Sequence, residues 1–311
     1  MLVEKTINLQ NSQPSWLRLE QEFLFELEDS FYWLLSKLDI HRFSFEHDPD
    51  NNYSQTLFVW LPLNEWSDKD QEILVQSLIS LAKTFELELP PCKWIQVKDE
   101  DWSLSWKKSW KPDPIGKSIL ILPAWLDIPE KFLARKIIRL DPESAFGTGS
   151  HPSTRLCIEA LDNDPPVGQT IADLGCGTGI LSITALKLGA KSTFSVDTDS
   201  LAISATKNNS ALNDFHEKSL NFFHGSIEEI EAIMPKEKID LVLCNILVPV
   251  IKLLGPGFKK IIGLKGKVIL SGLLVQQIKE LQEFFLQLGW QVLEIKTKDQ
   301  WALMVLTLNL S

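Results

Sequence analysis

The stretch Asp173-Leu-Gly-Cys-Gly-Thr-Gly179, followed by Ser195-Val-Asp197, constrains the fold of this chain more than any other. Thr170-Ile-Ala-Asp173 leads as a short apolar-leaning strand into glycines at 175, 177 and 179. A helical pattern runs from Ile180 to Leu188, and a second strand then ends on an acid. Glycine tolerates the positive φ values of so sharp a turn, and without a Cβ its backbone can lie against a bound nucleoside. Asp197 lies about twenty residues beyond the glycines, at the end of the second strand of a βαβ unit, where a carboxylate can accept both hydroxyls of a ribose. The spacing predicts an adenosine-type site, with Gly175, Gly177 and Gly179 against the ligand and Asp197 on the sugar.

Two cofactors compete for such a site. A dinucleotide fingerprint places its third glycine one position later and holds a pyrophosphate on the helix N-terminus. Here the glycines alternate and an acid, Asp173, precedes them. A carboxylate beside the turn repels a pyrophosphate but suits a cationic ligand. S-adenosylmethionine, with a sulfonium charge and no phosphate, fits better than a nicotinamide cofactor. A phosphate-cradling Walker loop is excluded, since no Lys-Ser/Thr pair follows the glycines.

Beyond the turn, strand and helix patterns alternate. Strands are expected at Thr170–Leu174, Thr193–Val196, Leu220–Phe223, Ile239–Asn245 and Lys267–Ser271, with helices around Ile180–Leu188, Leu201–Leu212, Val248–Ile262 and Val275–Leu288. That alternation gives an α/β fold with a parallel sheet covered on both faces. Trp290–Lys296 and Ala302–Leu308 are separated by only a few residues and are expected to pair antiparallel. A parallel sheet finishing in a C-terminal antiparallel hairpin is the Rossmann-like pattern of class I methyltransferases, which supports the cofactor argument independently.

The first hundred residues read as a separate unit. Trp16–Gln21 is a strand, Phe23–Leu38 an amphipathic helix, and Arg42–Glu46 and Gln55–Leu61 are strands joined by the turn-rich segment 47–52. Ser67 with Asp70 resembles a capping box opening a helix with the apolar stripe Ile73, Leu74, Leu78, Leu81, Ala82 and Phe85. Pro90 and Pro91 stop it, and Lys93–Val97 is a last strand. The order βαββαβ is ferredoxin-like, a small α+β fold that commonly serves recognition but says nothing of function alone. The expected division is therefore a ferredoxin-like recognition domain over 1–98, a Trp-rich linker over 99–112, and a cofactor-binding domain over 113–311. In the linker, Trp102, Trp106 and Trp110 fall on one helical stripe; packing is the simpler reading of it, an aromatic substrate platform the sharper one.

Composition limits the partners. The 311 residues carry a formal net charge of −10, the wrong sign for displacing counterions from nucleic acid, so no nucleic-acid partner is expected. No apolar run reaches membrane-spanning length, and Met-Leu-Val-Glu-Lys-Thr lacks the form of a secretory signal; a cytoplasmic monomer with no membrane partner is expected. Cys92, Cys157, Cys176 and Cys244 show no C-x-x-C spacing and read as buried thiols, not a metal site.

Two segments remain to do chemistry. Asp141-Pro-Glu-Ser-Ala-Phe-Gly-Thr-Gly-Ser-His-Pro-Ser-Thr-Arg155 is a second glycine-bearing loop before a helix at Leu156–Leu161, which Ser153 or Thr154 would cap. Lying over the methionine end of the cofactor, it would supply Phe146 as a wall, Thr148 within the loop, and Thr154 as donor or acceptor. Asn245 ends the fourth strand, and ligands of parallel sheets bind beyond the carboxyl ends of strands. Its amide would orient an attacking amine, cap the following helix, or both. No dedicated general base stands out.

Asp-Trp-x-x-x-Trp-Lys at 101–107, Pro123-Ala-Trp125, Ala-Phe-Gly-Thr-Gly-x-His-Pro-x-Thr at 145–154, the glycine turn and Asn245-Ile-Leu247 together resemble the ribosomal protein L11 methyltransferase family (PrmA-type). The 145–154 segment is the specific part of that likeness; the glycine turn alone indicates only a class I methyltransferase. The resemblance implies S-adenosylmethionine contacts at Thr154, Gly175, Asp197 and Asn245. It also implies methylation of lysine side chains and the N-terminal amine of ribosomal protein L11, docked by the amino-terminal domain. The alternative is a class I N-methyltransferase acting on another protein, a small molecule or a nucleic-acid amine.

Overall fold

The computed structural model describes residues 16–38, 40, 42–48, 51–63, 65–97, 110–141, 151–215, 219–234 and 239–309. The chain divides between Trp110 and Lys111 into two compact units. The tryptophans at 102 and 106 and the segment 142–150, with Phe146 and Thr148, lie outside the described residues.

The first unit runs β1 (Trp16–Leu24), α1 (Glu28–Lys37), β2 (Phe43–Asp48), β3 (Asn51–Pro62), α2 (Asp68–Thr84) and β4 (Lys93–Val97). The strand order is β2-β3-β1-β4, every neighbouring pair antiparallel. Alternate residues Leu19, Phe23, Leu57 and Val59 of the sheet pack against Phe31 and Leu35 of α1 and Leu74, Leu78 and Ala82 of α2, as period-2 strands facing amphipathic helices require. The capping box forms with Asp in the Glu position: Asp70 N donates to Ser67 Oγ at 3.4 Å and Ser67 N to Asp70 Oδ2 at 3.0 Å. Two expectations change. The helix expected from Phe23 starts at Glu28, because β1 stays paired with β3 as far as Leu24↔Ser54, and the Phe23 ring packs 5.0 Å from Phe31 within the core. Ile73 and Phe85 of the expected stripe are exposed; the face is narrower, following Leu74, Leu78 and Ala82 at i+4 steps.

The second unit begins with a three-stranded sheet that the sequence pattern did not suggest: β5 (Asp113–Ile115), β6 (Ile119–Pro123) and β7 (Lys136–Leu140), with β6 and β7 parallel. Then come α3 (Pro152–Asn163), β8 (Thr170–Leu174), α4 (Ile180–Lys187), β9 (Ser192–Asp197), α5 (Ser200–Leu212), β10 (Leu220–His224), α6 (Ile227–Ile233), β11 (Ile239–Asn245), α7 (Val248–Leu254), α8 (Phe258–Ile261), β12 (Ile262–Leu274), α9 (Ile278–Gln287), β13 (Trp290–Lys298) and β14 (Trp301–Leu308). The main sheet has the order β10-β9-β8-β11-β12-β14-β13. Its first five strands are parallel; β14 runs antiparallel between β12 and β13.

Differences from expectation have local causes. The single helix expected over Val248–Ile262 breaks at the 3-10 turn Gly255–Gly257, where Pro256 lacks the N–H to continue it. A Cβ on Gly255 would stand 3.1 Å from the Phe285 ring, so the break is packed against α9. That ring stacks on Phe258 at 5.9 Å, and Trp290 meets Phe258 edge-on at 6.4 Å, an aromatic centre under the β12–β14 half of the sheet. β12 is far longer than Lys267–Ser271, and α6 was not anticipated. Of the four free thiols, Cys157, Cys176 and Cys244 are buried and Cys92 is half-buried. No helix among the described residues is long and apolar enough to cross a membrane.

Candidate functional site

The main sheet reverses its winding between β8 and β11: β9 and β10 follow on one side of β8, and β11 and β12 lie on the other. A parallel sheet opens a crevice beyond its strand ends at such a point. The glycine turn, Asp197 and Asn245 follow or end the three strands β8, β9 and β11 around it.

Gly175, Gly177 and Gly179 have φ of 75°, 55° and 78°, the left-handed region that costs other residues energy. Space enforces the same choice. A Cβ on Gly175 would lie 2.5 Å from Ile246 Cγ2, and one on Gly179 would lie 2.9 Å from Thr206 Cγ2. The turn hangs on β9 through Gly175 and Cys176, whose N–H groups donate to Val196 O at 2.9 and 3.1 Å.

Asp197 closes the turn from the neighbouring strand. Its Oδ2 accepts from Gly177 N at 3.0 Å, and its Oδ1 from Asp199 N at 3.0 Å. Burial pushes its carboxyl above the ordinary range, against the lowering pull of those backbone N–H groups. The N–H of Thr198 bonds the carboxylate as well, and three backbone donors leave it lone-pair capacity for a ligand hydroxyl.

Asp173 stands elsewhere than its sequence position suggested. It is 1% exposed, and its Oδ2 accepts from Ser182 N at 3.1 Å and Ser182 Oγ at 2.7 Å. Gly179, the N-cap of α4, has no side chain to offer; the carboxylate of Asp173 meets the orphan N–H of the third helical residue instead, with favourable dipole geometry. Burial pushes this carboxyl up to about 6, the Ser182 bonds opposing it and the charge of Asp197 adding to it.

Neither Ser153 nor Thr154 caps α3. His151 does, its Nδ1 accepting from Ser153 N at 3.2 Å, with Pro152 in the first helical position; the ring meets Trp301 edge-on at 4.5 Å. Thr154 is thereby carried into the first turn, buried, and its Oγ1 accepts from Asn245 Nδ2 at 3.2 Å. Asn245 is no cap either: Leu247 occupies that position of α7. Asn245 Oδ1 is buried without a hydrogen-bond partner among the described residues. A buried acceptor left unmatched is expensive, so this oxygen is open to a donor beyond the described residues.

Sequence reasoning missed what sets the height of the Asn245-Ile-Leu247 loop. Ile246 fits between two glycines, Gly175 on β8's side and Gly272 in β12, whose Cβ would lie 2.6 Å from Ile246 O. Gly272 has φ 77° at a register shift of β12. It also missed Asn209 and Asn213; the only signal was an asparagine inside the expected helix at 209, a weak helix former there, and another just past its end at 213.

The residues fit S-adenosylmethionine. The turn admits close approach, Asp197 offers a carboxylate with free lone pairs, and Asn245 Oδ1 is an orphaned acceptor. No phosphate-binding cation stands in this set.

A family model described as ribosomal protein L11 methyltransferase (PrmA) matches residues 15–309. The chain is 46% identical over 301 residues to the ribosomal protein L11 methyltransferase of one Prochlorococcus marinus strain, spanning 97% of this chain and 99% of that protein. It is 47% identical over 279 residues to the protein of the same description from Parasynechococcus marenigrum, spanning 90% and 96%. Among solved structures it is similar to a ribosomal protein L11 methylase from Lactobacillus delbrueckii subsp. bulgaricus, at 28% identity and a TM-score of 0.58, covering 64% of this chain and 99% of that one.

Proposed function

The chain belongs to the ribosomal protein L11 methyltransferase family, whose members use S-adenosylmethionine, and from that premise we propose that it methylates lysine side chains and the N-terminal amine of ribosomal protein L11. In this reading the second unit is the catalytic domain, with the β13–β14 hairpin completing a Rossmann-like sheet. The first unit, βαββαβ with the order β2-β3-β1-β4, is a ferredoxin-like domain that docks the substrate. The enzyme works in the cytoplasm as a monomer and needs no nucleic acid.

The observation that carries the reading is the amide of Asn245, with Nδ2 committed to Thr154 and Oδ1 buried and unmatched among the described residues. Bound S-adenosylmethionine supplies the electrophilic methyl group. Asp197 accepts the ribose hydroxyls, and Gly175, Gly177 and Gly179 let the backbone lie against the nucleoside. Asp173 acts from beneath the turn by holding α4. Thr154, with Phe146 and Thr148 of the loop before it, borders the methionine end.

An attacking lysine must be neutral, which at pH 7 costs about 4–5 kcal/mol from its ordinary pKa. A water-poor site lowers that cost by disfavouring the ammonium. Asn245 Oδ1 accepts an N–H of the neutral amine and aims its lone pair, so the rate gain comes from positioning, and the proton leaves to solvent.

The test is intact-mass analysis of ribosomal protein L11 after incubation with the enzyme and S-adenosylmethionine. Mass rises in steps of one methylene are expected. A spectrum identical to a no-enzyme control defeats the assignment of substrate, and calorimetric titration that finds NAD but not S-adenosylhomocysteine bound defeats the assignment of cofactor.

A further inference from the structure

Glycine residues at 175, 177 and 179 leave the turn with little preference of its own for one orientation of its peptide groups. Two side chains of α5 fix that orientation. Thr206 Oγ1 donates to Gly177 O at 2.9 Å, and Asn209 Nδ2 donates to Thr178 O at 3.0 Å. Asn209 is 1% exposed, and its other end is occupied as well: Oδ1 accepts from Asp141 N at 2.8 Å, just past the end of β7. One amide thus joins a carbonyl of the glycine turn to the N–H that follows β7 of the smaller sheet. Of the side chains of that size, only asparagine offers a donor and an acceptor side by side.

Asn213 provides the contrast. Four residues further on, capping the C-terminus of α5, its Oδ1 accepts from Arg139 N at 2.9 Å and its Nδ2 donates to Arg139 O at 2.7 Å. Its remaining bond goes to Asn209 O at 2.8 Å, within the helix. Asn213 fastens β7 to α5 just as Asn209 does, through residues that form no part of the glycine turn. Buried amides need their hydrogen bonds to offset burial, so both support the fold; only one reaches the turn.

We propose that Asn209 is a positioning residue for the cofactor: by bonding Thr178 and Asp141 through one amide, it holds the glycine turn in its ligand-ready shape before the ligand arrives. The inference rests on the reading of that turn as the S-adenosylmethionine site. A turn ordered in advance loses little freedom on binding, so disturbing it acts on affinity and KM more than on kcat.

Calorimetric titration with S-adenosylhomocysteine, alongside steady-state kinetics, tests this on the full chain. Asn209→Asp keeps an acceptor for Asp141 but, ionised, has no donor for Thr178. It should weaken binding by about tenfold and raise KM for S-adenosylmethionine with a smaller change in kcat. Protonation restores an O–H donor, so its affinity relative to the unmodified chain at the same pH should recover as pH falls. Asn213→Ala should lower thermal stability while leaving affinity within about twofold of the unmodified chain. Asn209→Ala, which buries no charge, is measured in parallel so that a failure of the Asp variant to fold leaves the comparison intact. Equal losses of affinity at 209 and 213, or no loss at 209, overturn the proposal. An unmodified chain that does not bind S-adenosylhomocysteine overturns the cofactor reading itself, a distinct result.

Discussion

The amide of Asn245 donates to Thr154 Oγ1 at 3.2 Å, joining residues 91 apart in the chain, while its own Oδ1 is buried and unmatched among the described residues. The same side chain therefore ties the end of β11 to the first turn of α3 and presents an acceptor. Asn245→Ala removes one hydrogen bond, about 1 kcal/mol, but also a buried acceptor without a partner, and the two changes offset. Thermal stability should stay within about 4 °C, whereas turnover should fall about a hundredfold from lost orientation. Turnover equal to that of the unmodified enzyme would reduce Asn245 to a structural link.

Gly175 and Ile246 offer a second, steric test. Gly175→Ala meets a left-handed backbone at φ 75°, a cost of about 1–2 kcal/mol, and a Cβ 2.5 Å from Ile246 Cγ2. Ile246→Ala in the same chain removes the second contribution and leaves the first. The double variant should be more stable than the sum of the single losses by at least about 0.5 kcal/mol in urea unfolding. Strict additivity would show that the contact is relieved some other way.

The glycine turn and its acid were legible because their reasons are local: positive φ at alternate residues, and a strand that must end on a carboxylate. The parallel sheet followed from alternation, and the capping box of α2 from Ser67 and Asp70 alone. What escaped the sequence depends on contacts remote in the chain. Nothing near Asp173 shows that it will face Ser182 and serve as α4's missing cap, because Gly179 is identifiable as an N-cap only once the turn is folded. His151 takes the capping position that Ser153 and Thr154 also suit, and Asn245 gives its donor to Thr154 in place of the α7 terminus. The short strands β5 and β7 lack enough alternating residues to announce themselves, and the fastening of β7 and the residue after it by Asn213 and Asn209 is a tertiary fact.

Asp197 should control binding with a pH dependence of its own. It is the carboxylate at the end of β9, and burial holds its carboxyl above the usual range. Ribose hydroxyls need the ionised form as acceptor, so affinity for S-adenosylhomocysteine should weaken as pH falls through that raised value, earlier than an exposed carboxylate would allow. Asp197→Asn should weaken binding by roughly 1.5–3 kcal/mol, the worth of hydrogen bonds to a charged group, and flatten the acid limb. Titration calorimetry across pH checks both; an acid limb that persists unchanged in Asp197→Asn would assign it to another group.

Asp173 ties stability to pH in the mildly acidic range. Its carboxyl titrates near 3.8 unfolded and is pushed up to about 6 in the fold, so the folded state binds the proton more tightly. The stabilisation this brings is complete below about pH 4 and is lost as pH rises through about 6. The native protein at neutral pH therefore holds a buried carboxylate at a cost on the order of 3 kcal/mol relative to its protonated form. Asp173→Asn keeps an acceptor for Ser182 N–H and Oγ–H and removes the titration. In urea unfolding, the stability of Asp173→Asn minus that of the unmodified chain should grow across that pH window and level off above it. A difference that stays flat with pH would mean that Ser182 and the α4 dipole stabilise the ion well enough to return its pKa to the ordinary range.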